Sequence, residues 1–253
     1  GMRRKIRLMF AYAAMFLFPL TFNYLSPYVS IDGAMAGLVS GSLLVFALQF
    51  LSGIFLGRAW CAWACPVAGI AEIGRGVNDR RVNIKKLAAV RYAIFGVWFA
   101  ALVGAFVLAG GIRGLDPLHL TEKIVSIDEP AKFVTYYFVL IALLALTFAV
   151  GRRGACHAIC WMAPFLTAGE LVGRALRVPQ LKIRSEAEKC VSCGLCTKSC
   201  PMSIDVETEI KSGRVKSLAC IRCGACADCC PKRILRFACG EAKDNVIYGK
   251  SVY

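Results

Sequence analysis

An all-α membrane bundle of four transmembrane helices in two pseudo-repeats, followed by a small cysteine-rich domain, is the fold class this sequence predicts. Three observations carry that expectation: apolar runs long enough to cross a bilayer, a stretch that repeats itself, and two sets of closely spaced cysteines near the C-terminus. Of the 253 residues, 58% are hydrophobic and mean hydropathy is +0.60. The apolar excess is gathered into long runs within residues 1–150, and a polar, cysteine-rich part follows residue 180. The expected division is a transmembrane domain over 1–179, the cysteine-rich domain over 180–239, and a tail over 240–253.

Four segments reach spanning length, about 20 residues at a rise of about 1.5 Å each. They are residues 8–29, 33–57, 92–112 and 133–150. The first contains Pro19, which removes a backbone donor and kinks a helix, and Asn23. It lacks a small-residue cleavage site, so it is expected to remain as an anchor. Gly37 and Gly41 form a GxxxG pattern that would let two helices approach closely.

Positive charge then sets orientation. Arg3, Arg4, Lys5 and Arg7 precede the first segment, and Arg58, Arg75, Arg80, Arg81, Lys85, Lys86 and Arg91 lie between the second and third. The opposite loops hold Arg113, Lys123 and Lys132 against Asp32, Asp116, Glu122, Asp128 and Glu129. The expectation is a multi-pass protein of a prokaryotic inner (plasma) membrane with both termini cytoplasmic. The net charge of +15 is explained by cations meeting anionic lipid head groups. No basic stripe interleaved with aromatics is present, so a nucleic-acid partner is not expected.

The repeat appears on sliding the chain along itself. Gly57-Arg58 leads into Cys61 and Cys65-Pro66, then an apolar stretch with Glu72 ending at Gly74-Arg75. Gly151-Arg152 leads into Cys156 and Cys160, then an apolar stretch with Glu170 ending at Gly173-Arg174. Each half thus reads span, span, GR, CxxxC, short amphipathic helix, with the GR-to-cysteine spacing differing by one residue. Residues 167–189 are expected to be a basic connector through Pro179.

Fourteen cysteines in a secreted miniprotein would mean disulfides; beside cytoplasmic membrane segments they mean metal ligands. Cys190, Cys193, Cys196 and Cys200-Pro201 form one CxxCxxCxxxCP run, and Cys220, Cys223, Cys226 and Cys230-Pro231 form the second. This is the spacing of a bacterial-type dicluster ferredoxin domain, in which the fourth cysteine of each run serves the other cluster. Cys190, Cys193, Cys196 and Cys230 are therefore assigned to one 4Fe-4S cluster, and Cys220, Cys223, Cys226 and Cys200 to a second. Gly194 and Gly224 let the backbone approach the clusters. Structural zinc is the alternative that two complete runs argue against. Cys229 and Cys239 are read as spare thiols.

Cys61/Cys65 and Cys156/Cys160 are i,i+4 pairs expected on one helix face at a common membrane depth. Together they are candidates for redox chemistry at a third site, holding a cluster or a soft metal in preference to a switchable disulfide or simple core packing. His157 lies inside the second pair as a ligand or hydrogen-bonding neighbour. His119, near Asp116, is either an ordinary loop histidine or an acceptor of quinol protons. There is no CxxCH, and two histidines leave little provision for bis-histidine haem.

The combination of GRxWCxWxCP after a span, a second CxxxC after another pair of spans, and a C-terminal dicluster run resembles the membrane polyferredoxins typified by NapH, NosR and CcoG, most nearly the short NapH type. The resemblance maps the first motif onto Cys61, Cys65 and Pro66 and the second onto Cys156 and Cys160, where Trp161 replaces the expected proline. It implies a quinol-dehydrogenase-like electron-transfer subunit, working between the quinone pool or a cytoplasmic donor and a partner redox system. Its expected partners are membrane lipids and ferredoxin-like, flavoprotein or cytochrome subunits. The competing expectation is a copper-binding and copper-reducing factor for metalloenzyme assembly, since soft thiolates suit Cu(I).

Overall fold

The computed structural model describes residues 2–121, 125–127 and 130–240. The outer-loop charges Glu122, Lys123, Asp128 and Glu129, and the tail from residue 241 onward, lie outside the described residues.

The first apolar run is not one continuous helix. It divides into α1 (Met2–Phe16), α2 (Phe18–Thr21), a 3-10 turn at Asn23–Leu25 and α3 (Pro27–Met35). Pro19 and Pro27 each stand at a helix start, where a missing N–H costs nothing, and Ser26 before Pro27 is extended. Asn23 fixes the break by donating its side-chain amide to the Leu120 carbonyl at 2.6 Å and the Ser126 carbonyl at 3.3 Å.

The second run is also interrupted. Gly37 turns with φ +72°, β1 (Leu38–Ser40) follows, and α4 runs only over Gly41–Leu56. The Gly37/Gly41 pattern is therefore a turn and a helix start rather than a helix-packing face. Gly41 remains necessary, because a Cβ there would press on the Pro117 carbonyl.

Next come the one-turn α5 (Trp60–Trp63), α6 (Val67–Val77) and the long α7 (Ile84–Leu108). Asn83 caps α7 by accepting from the Lys86 amide at 3.2 Å. β2 (Gly114–Asp116) pairs in parallel with β1, Leu38 opposite Gly114. Then follow α8 (Pro130–Val150), the short α9 (Gly154–Ala158) and α10 (Met162–Ala175).

Among the described residues two helices, α7 and α8, are long and apolar enough to cross a membrane by length and composition. Four had been expected; α4 is apolar but has 16 residues, and the first segment is broken. Both long helices leave large apolar side chains uncovered, among them Val97, Val107, Val134 and Phe138, each more than 70% exposed.

Residues 162–175, counted partly as connector, form a core helix. Gly169 and Gly173 of α10 meet α4 so closely that added Cβ atoms would strike the Phe50 and Ile54 carbonyls. Gly53 reciprocates, its Cβ position lying 2.6 Å from the Leu166 carbonyl. The small-residue face that brings two backbones together is thus on α10. In the other half, α6 packs against α1 and α8, with Gly69 facing Ala11 and Gly74 facing Thr147.

The cysteine-rich module comprises β3 (Leu181–Ser185), α11 (Leu195–Ser199), α12 (Val206–Ile210), α13 (Ala225–Asp228) and β4 (Leu235–Cys239). β3 and β4 are antiparallel, Leu181 opposite Cys239 and Ser185 opposite Leu235. The module is latched to the helical part by several side chains. Arg152 Nη1 donates to the Lys198 and Cys200 carbonyls at 2.8 and 3.2 Å. Arg81 donates to the Ser203 carbonyl, and the Val82 amide donates to the Ser203 hydroxyl. Arg3 of α1 lies 3.3 Å from Asp228 and stacks on Phe237.

Candidate metal centres

The two ferredoxin-type runs fold into matching loops. Ser192 and Gly194 in the first, and Arg222 and Gly224 in the second, all have φ between +50° and +76°. Such backbone turns amides inward toward an anion, and each glycine starts a short helix carrying the third cysteine. One cavity is lined by Cys190, Cys193, Cys196 and Cys230, with Pro231 beside them. A second is lined by Cys220, Cys223, Cys226 and Cys200, with Pro201 beside them. Each cavity therefore takes three thiols from one run and one from the other.

The lining suits an iron–sulfur cubane. Four thiols converge on each cavity, and Ile183, Ile204 and Val206 dry the second. Burial, followed by neighbouring thiols, pushes the Cys200 thiol up to about 11. Burial likewise pushes Cys220 up to about 12. Such thiols keep their protons at neutral pH until a metal takes the proton's place. Cys229 lines neither cavity; its Sγ lies 3.0 Å from the Ser199 hydroxyl and 3.4 Å from the Cys226 carbonyl. Cys239 is exposed on β4.

The CxxxC pairs do not lie on continuous helices. Cys61 lies within the one-turn α5 (Trp60–Trp63), and Cys65 follows the break at Ala64, directly before Pro66. Cys156 lies in α9, and Cys160 follows the break at Ile159. The four nonetheless converge: Cys65 lies within electrostatic reach of Cys61, Cys156 and Cys160. All four are free thiols.

The surroundings of these thiols were not anticipated. Arg7, Arg58, Arg91, Arg152 and Arg153, expected at lipid head groups or unremarked, are buried, none more than 6% exposed. Arg153 donates to the Cys61 carbonyl at 3.1 Å and to Glu72 at 3.1 Å, and Arg7 holds the same carboxylate at 2.9 Å. Burial works to raise the Glu72 carboxyl, but Arg153 and Arg7 overcome it and hold it below the usual range. Arg91 donates to the Cys156 carbonyl at 3.3 Å. His157 is fully buried; burial first, then Arg58, Arg91 and Arg153, pushes its imidazole down to about 3, so the ring is neutral. The signal for the arginines was in the sequence. Aligned on the cysteines rather than on GR, Arg58 and Arg153 each stand three residues before the first cysteine of their pair.

Two contacts join this region to the second cavity. The Trp63 indole, between Cys61 and Cys65, donates to the Arg222 carbonyl at 3.4 Å. The Arg222 side chain enters against Gly57, where any Cβ would collide with the guanidinium. It reaches Glu170 of α10 at 2.8 Å and donates to the Leu181 and Cys220 carbonyls at 2.5 and 3.2 Å. At the other end of the helices, His119 Nε2 lies 2.8 Å from Asp32 and Nδ1 lies 3.6 Å from Asp116.

Comparison with known proteins agrees with these centres. Residues 182–231 match a family described as a 4Fe-4S dicluster domain, and residues 38–85 match one described as a 4Fe-4S binding domain. YccM of Escherichia coli (strain K12), whose name assigns it to electron transport, is 25% identical over 195 residues, 73% of this chain and 52% of that protein. The methylamine utilization ferredoxin-type protein MauN of Methylorubrum extorquens is 24% identical over 179 residues, 69% of this chain and 59% of its own. The nitrogen fixation protein FixG of Rhizobium meliloti is 28% identical over 189 residues, 62% of this chain and 35% of its own. The matched region is about half the length of the first of these relatives. No solved structure matches the chain.

Fold, cysteine loops and matches together define an iron–sulfur protein of ferredoxin type. The chain is polyferredoxin-like, similar at low identity to YccM, to the ferredoxin-type protein MauN and to FixG.

Proposed function

We propose that this protein is a membrane-bound electron carrier, in which two 4Fe-4S clusters in the tail module and the four-thiol site beside it connect the quinone pool or a cytoplasmic donor with a partner redox system. Cys190, Cys193, Cys196 and Cys230 hold one cluster; Cys220, Cys223, Cys226 and Cys200 hold the other. Clusters so ligated supply one-electron chemistry when bound. The residues of the chain set their surroundings: buried cysteines, inward amides, and arginines that carry compensating charge. The names of YccM and MauN, which speak of electron transport and of a ferredoxin type, support the same reading.

One observation carries the proposal: the Trp63 indole and the Arg222 guanidinium bind the second cluster loop directly to the turn bearing Cys61 and Cys65. A tail that was merely tethered would need no such junction. Membrane insertion rests on the long, apolar and largely uncovered α7 and α8, since a core helix of a soluble protein would be buried. The tail module meets the start of α1 through Arg3, so the two share one face of the helices, and the basic segments favour the cytoplasm for that face.

The test is a redox titration of anaerobically purified protein in detergent or nanodiscs. Reversible iron–sulfur reduction and electron exchange with menaquinol are expected. Colourless, iron-free protein, or clusters that neither oxidise nor reduce, would refute the proposal.

A further inference from the structure

The two cluster loops match in backbone but not in electrical surroundings. Gly194 and Gly224 hold equivalent places, each with positive φ and each starting the short helix that carries a third cysteine. The Cβ position of Gly194 faces Glu207 Oε2 at 3.4 Å, whereas that of Gly224 faces Arg3 Nη1 at 3.2 Å. Glu207 also lines the cavity of Cys190, Cys193, Cys196 and Cys230. No ion pair holds Glu207 among the described residues, and Lys189 is engaged by Glu186 at 2.6 Å. Lys232 lines the same cavity but is exposed, where water and salt screen its charge.

Cations gather on the side of the second loop. Arg222 stands in the loop itself, its side chain 4% exposed, with Nη1 donating to the Cys220 carbonyl at 3.2 Å. Arg152 donates to the Cys200 carbonyl at 3.2 Å, and Arg153 lies within electrostatic reach of Cys223. Each of these three arginines shares its carboxylate with a second arginine. Glu170 serves Arg222 and Arg174, Asp79 serves Arg152 and Arg75, and Glu72 serves Arg153 and Arg7. Every junction therefore carries a cation that its carboxylate does not cancel. No carboxylate lines the cavity of Cys220, Cys223, Cys226 and Cys200 among the described residues.

Exposure divides the loops the same way. Of the eight ligand cysteines, all among the described residues, only Cys193 is exposed, and Val191, Leu195 and Pro231 are exposed around the same cavity. Cys200 and Cys226 are buried, and Arg152, Trp63 and Arg222 tie the second centre to the helical part. An iron–sulfur cluster gains one negative charge on reduction. A neighbouring cation favours that change and a neighbouring carboxylate opposes it, most of all where burial limits screening.

We propose that the centre held by Cys190, Cys193, Cys196 and Cys230 is the surface port and the lower in potential, kept low by Glu207. The centre held by Cys220, Cys223, Cys226 and Cys200 is the inner and higher one, kept up by Arg3, Arg152 and Arg222. The inference rests on the electron-carrier reading and gives its tail module a direction. One electron leaves a soluble low-potential ferredoxin, which is oxidised, and reduces the first centre. The first centre is reoxidised as the second is reduced, with no proton moved and no bond made or broken. The downhill course runs from the exposed face toward the turn bearing Cys61 and Cys65.

Potentiometric EPR on the full chain, purified anaerobically in nanodiscs, tests the order. Two midpoints should separate by tenfold or more in reduction equilibrium, about 59 mV for one electron. Glu207→Gln should raise the lower midpoint and leave the higher in place. Arg3→Gln should lower the higher midpoint alone, and by less, since the Arg3 side chain is 42% exposed. In each variant the unmoved signal shows that the module has folded and loaded. On rapid mixing with substoichiometric reduced ferredoxin, followed by freeze-quench EPR, the lower-potential signal should rise first and decay into the higher. Coincident midpoints, or a Glu207→Gln shift that is absent or confined to the higher midpoint, would overturn the ordering. An unmoved higher midpoint in Arg3→Gln would overturn the part given to Arg3, and a higher-potential signal that rises first would overturn the port. Protein that holds no iron would overturn the electron-carrier reading, and this inference with it.

Discussion

Arg222 offers the sharpest test of how the two parts are joined. Its side chain is 4% exposed and Glu170 is wholly buried, so Arg222→Met leaves a desolvated carboxylate with only Arg174 as cation. Breaking a buried ion pair by removing one partner costs about 3–5 kcal/mol. Arg174 is 31% exposed and retains its contact, which places the expected loss near the lower bound, about 3 kcal/mol. The Leu181 and Cys220 carbonyls also lose a donor, at about 1 kcal/mol each, though these terms overlap with the first. For a chain of this length the loss corresponds to a fall of about 6–12 °C in apparent melting temperature. Differential scanning fluorimetry in detergent measures it, and the double variant R222M/E170Q serves as the control. Removing the carboxylate's charge should recover about 1–3 kcal/mol of the loss. A melting temperature within about 2 °C of wild type for Arg222→Met, with no recovery in the double variant, would refute the claim that this ion pair latches the module.

Other outcomes follow from the same geometry. Gly169→Ala gains about 1 kcal/mol of helix propensity but overpacks against the Phe50 carbonyl, for about 1–3 kcal/mol of cost. Because the obstruction is backbone, destabilisation should win, whereas Gly96→Ala on the open face of α7 should be neutral or stabilising; thermal melts of the two variants compare them. Crossed ligation predicts that Cys230→Ala abolishes the EPR signal of the cluster held by Cys190, Cys193 and Cys196, while Cys200→Ala abolishes the other. Asp79 supplies a pH dependence: partial burial would raise its carboxyl, but hydrogen bonds from Arg152 and Arg75 hold it below the usual range. A depressed carboxyl contributes stability above its unfolded value, near 3.9, and loses it as pH falls through the folded value. In denaturant melts the stability difference between wild type and Asp79→Asn should therefore be constant above about pH 5 and shrink below about pH 4, modestly because the side chain is half exposed.

What the sequence made legible follows a physical divide. The two CxxCxxCxxxCP runs were readable because ligation to a cubane fixes residue type and spacing within a few positions of the chain. The long α7 and α8 were readable because each is an apolar run with no proline or charge cluster to interrupt it. Residues 8–29 were not, since mean hydropathy is blind to a break; Pro19, Pro27 and the amide of Asn23 divide a run that composition alone presents as continuous. Gly37 and Gly41 matched a packing pattern, yet Gly169, Gly173 and Gly53 perform the close approach, because a glycine pair marks a helix interface only when both members lie on one helix. Arg58 and Arg91 were counted as lipid-facing cations, since a charge tally near an apolar run cannot tell a side chain directed at head groups from one folded inward. The repeat held the correcting clue, but only when registered on cysteine.

The junction at Arg222 also bears on how the protein comes into being. Glu170 is buried in the helical part, 52 residues ahead of Arg222 in the chain, and Gly57 leaves the room that the guanidinium fills. The helical half is therefore complete only once the loop that carries Arg222 has docked. That loop also carries Cys220 and Cys223, so metal loading and final closure of the molecule share a single moment in assembly.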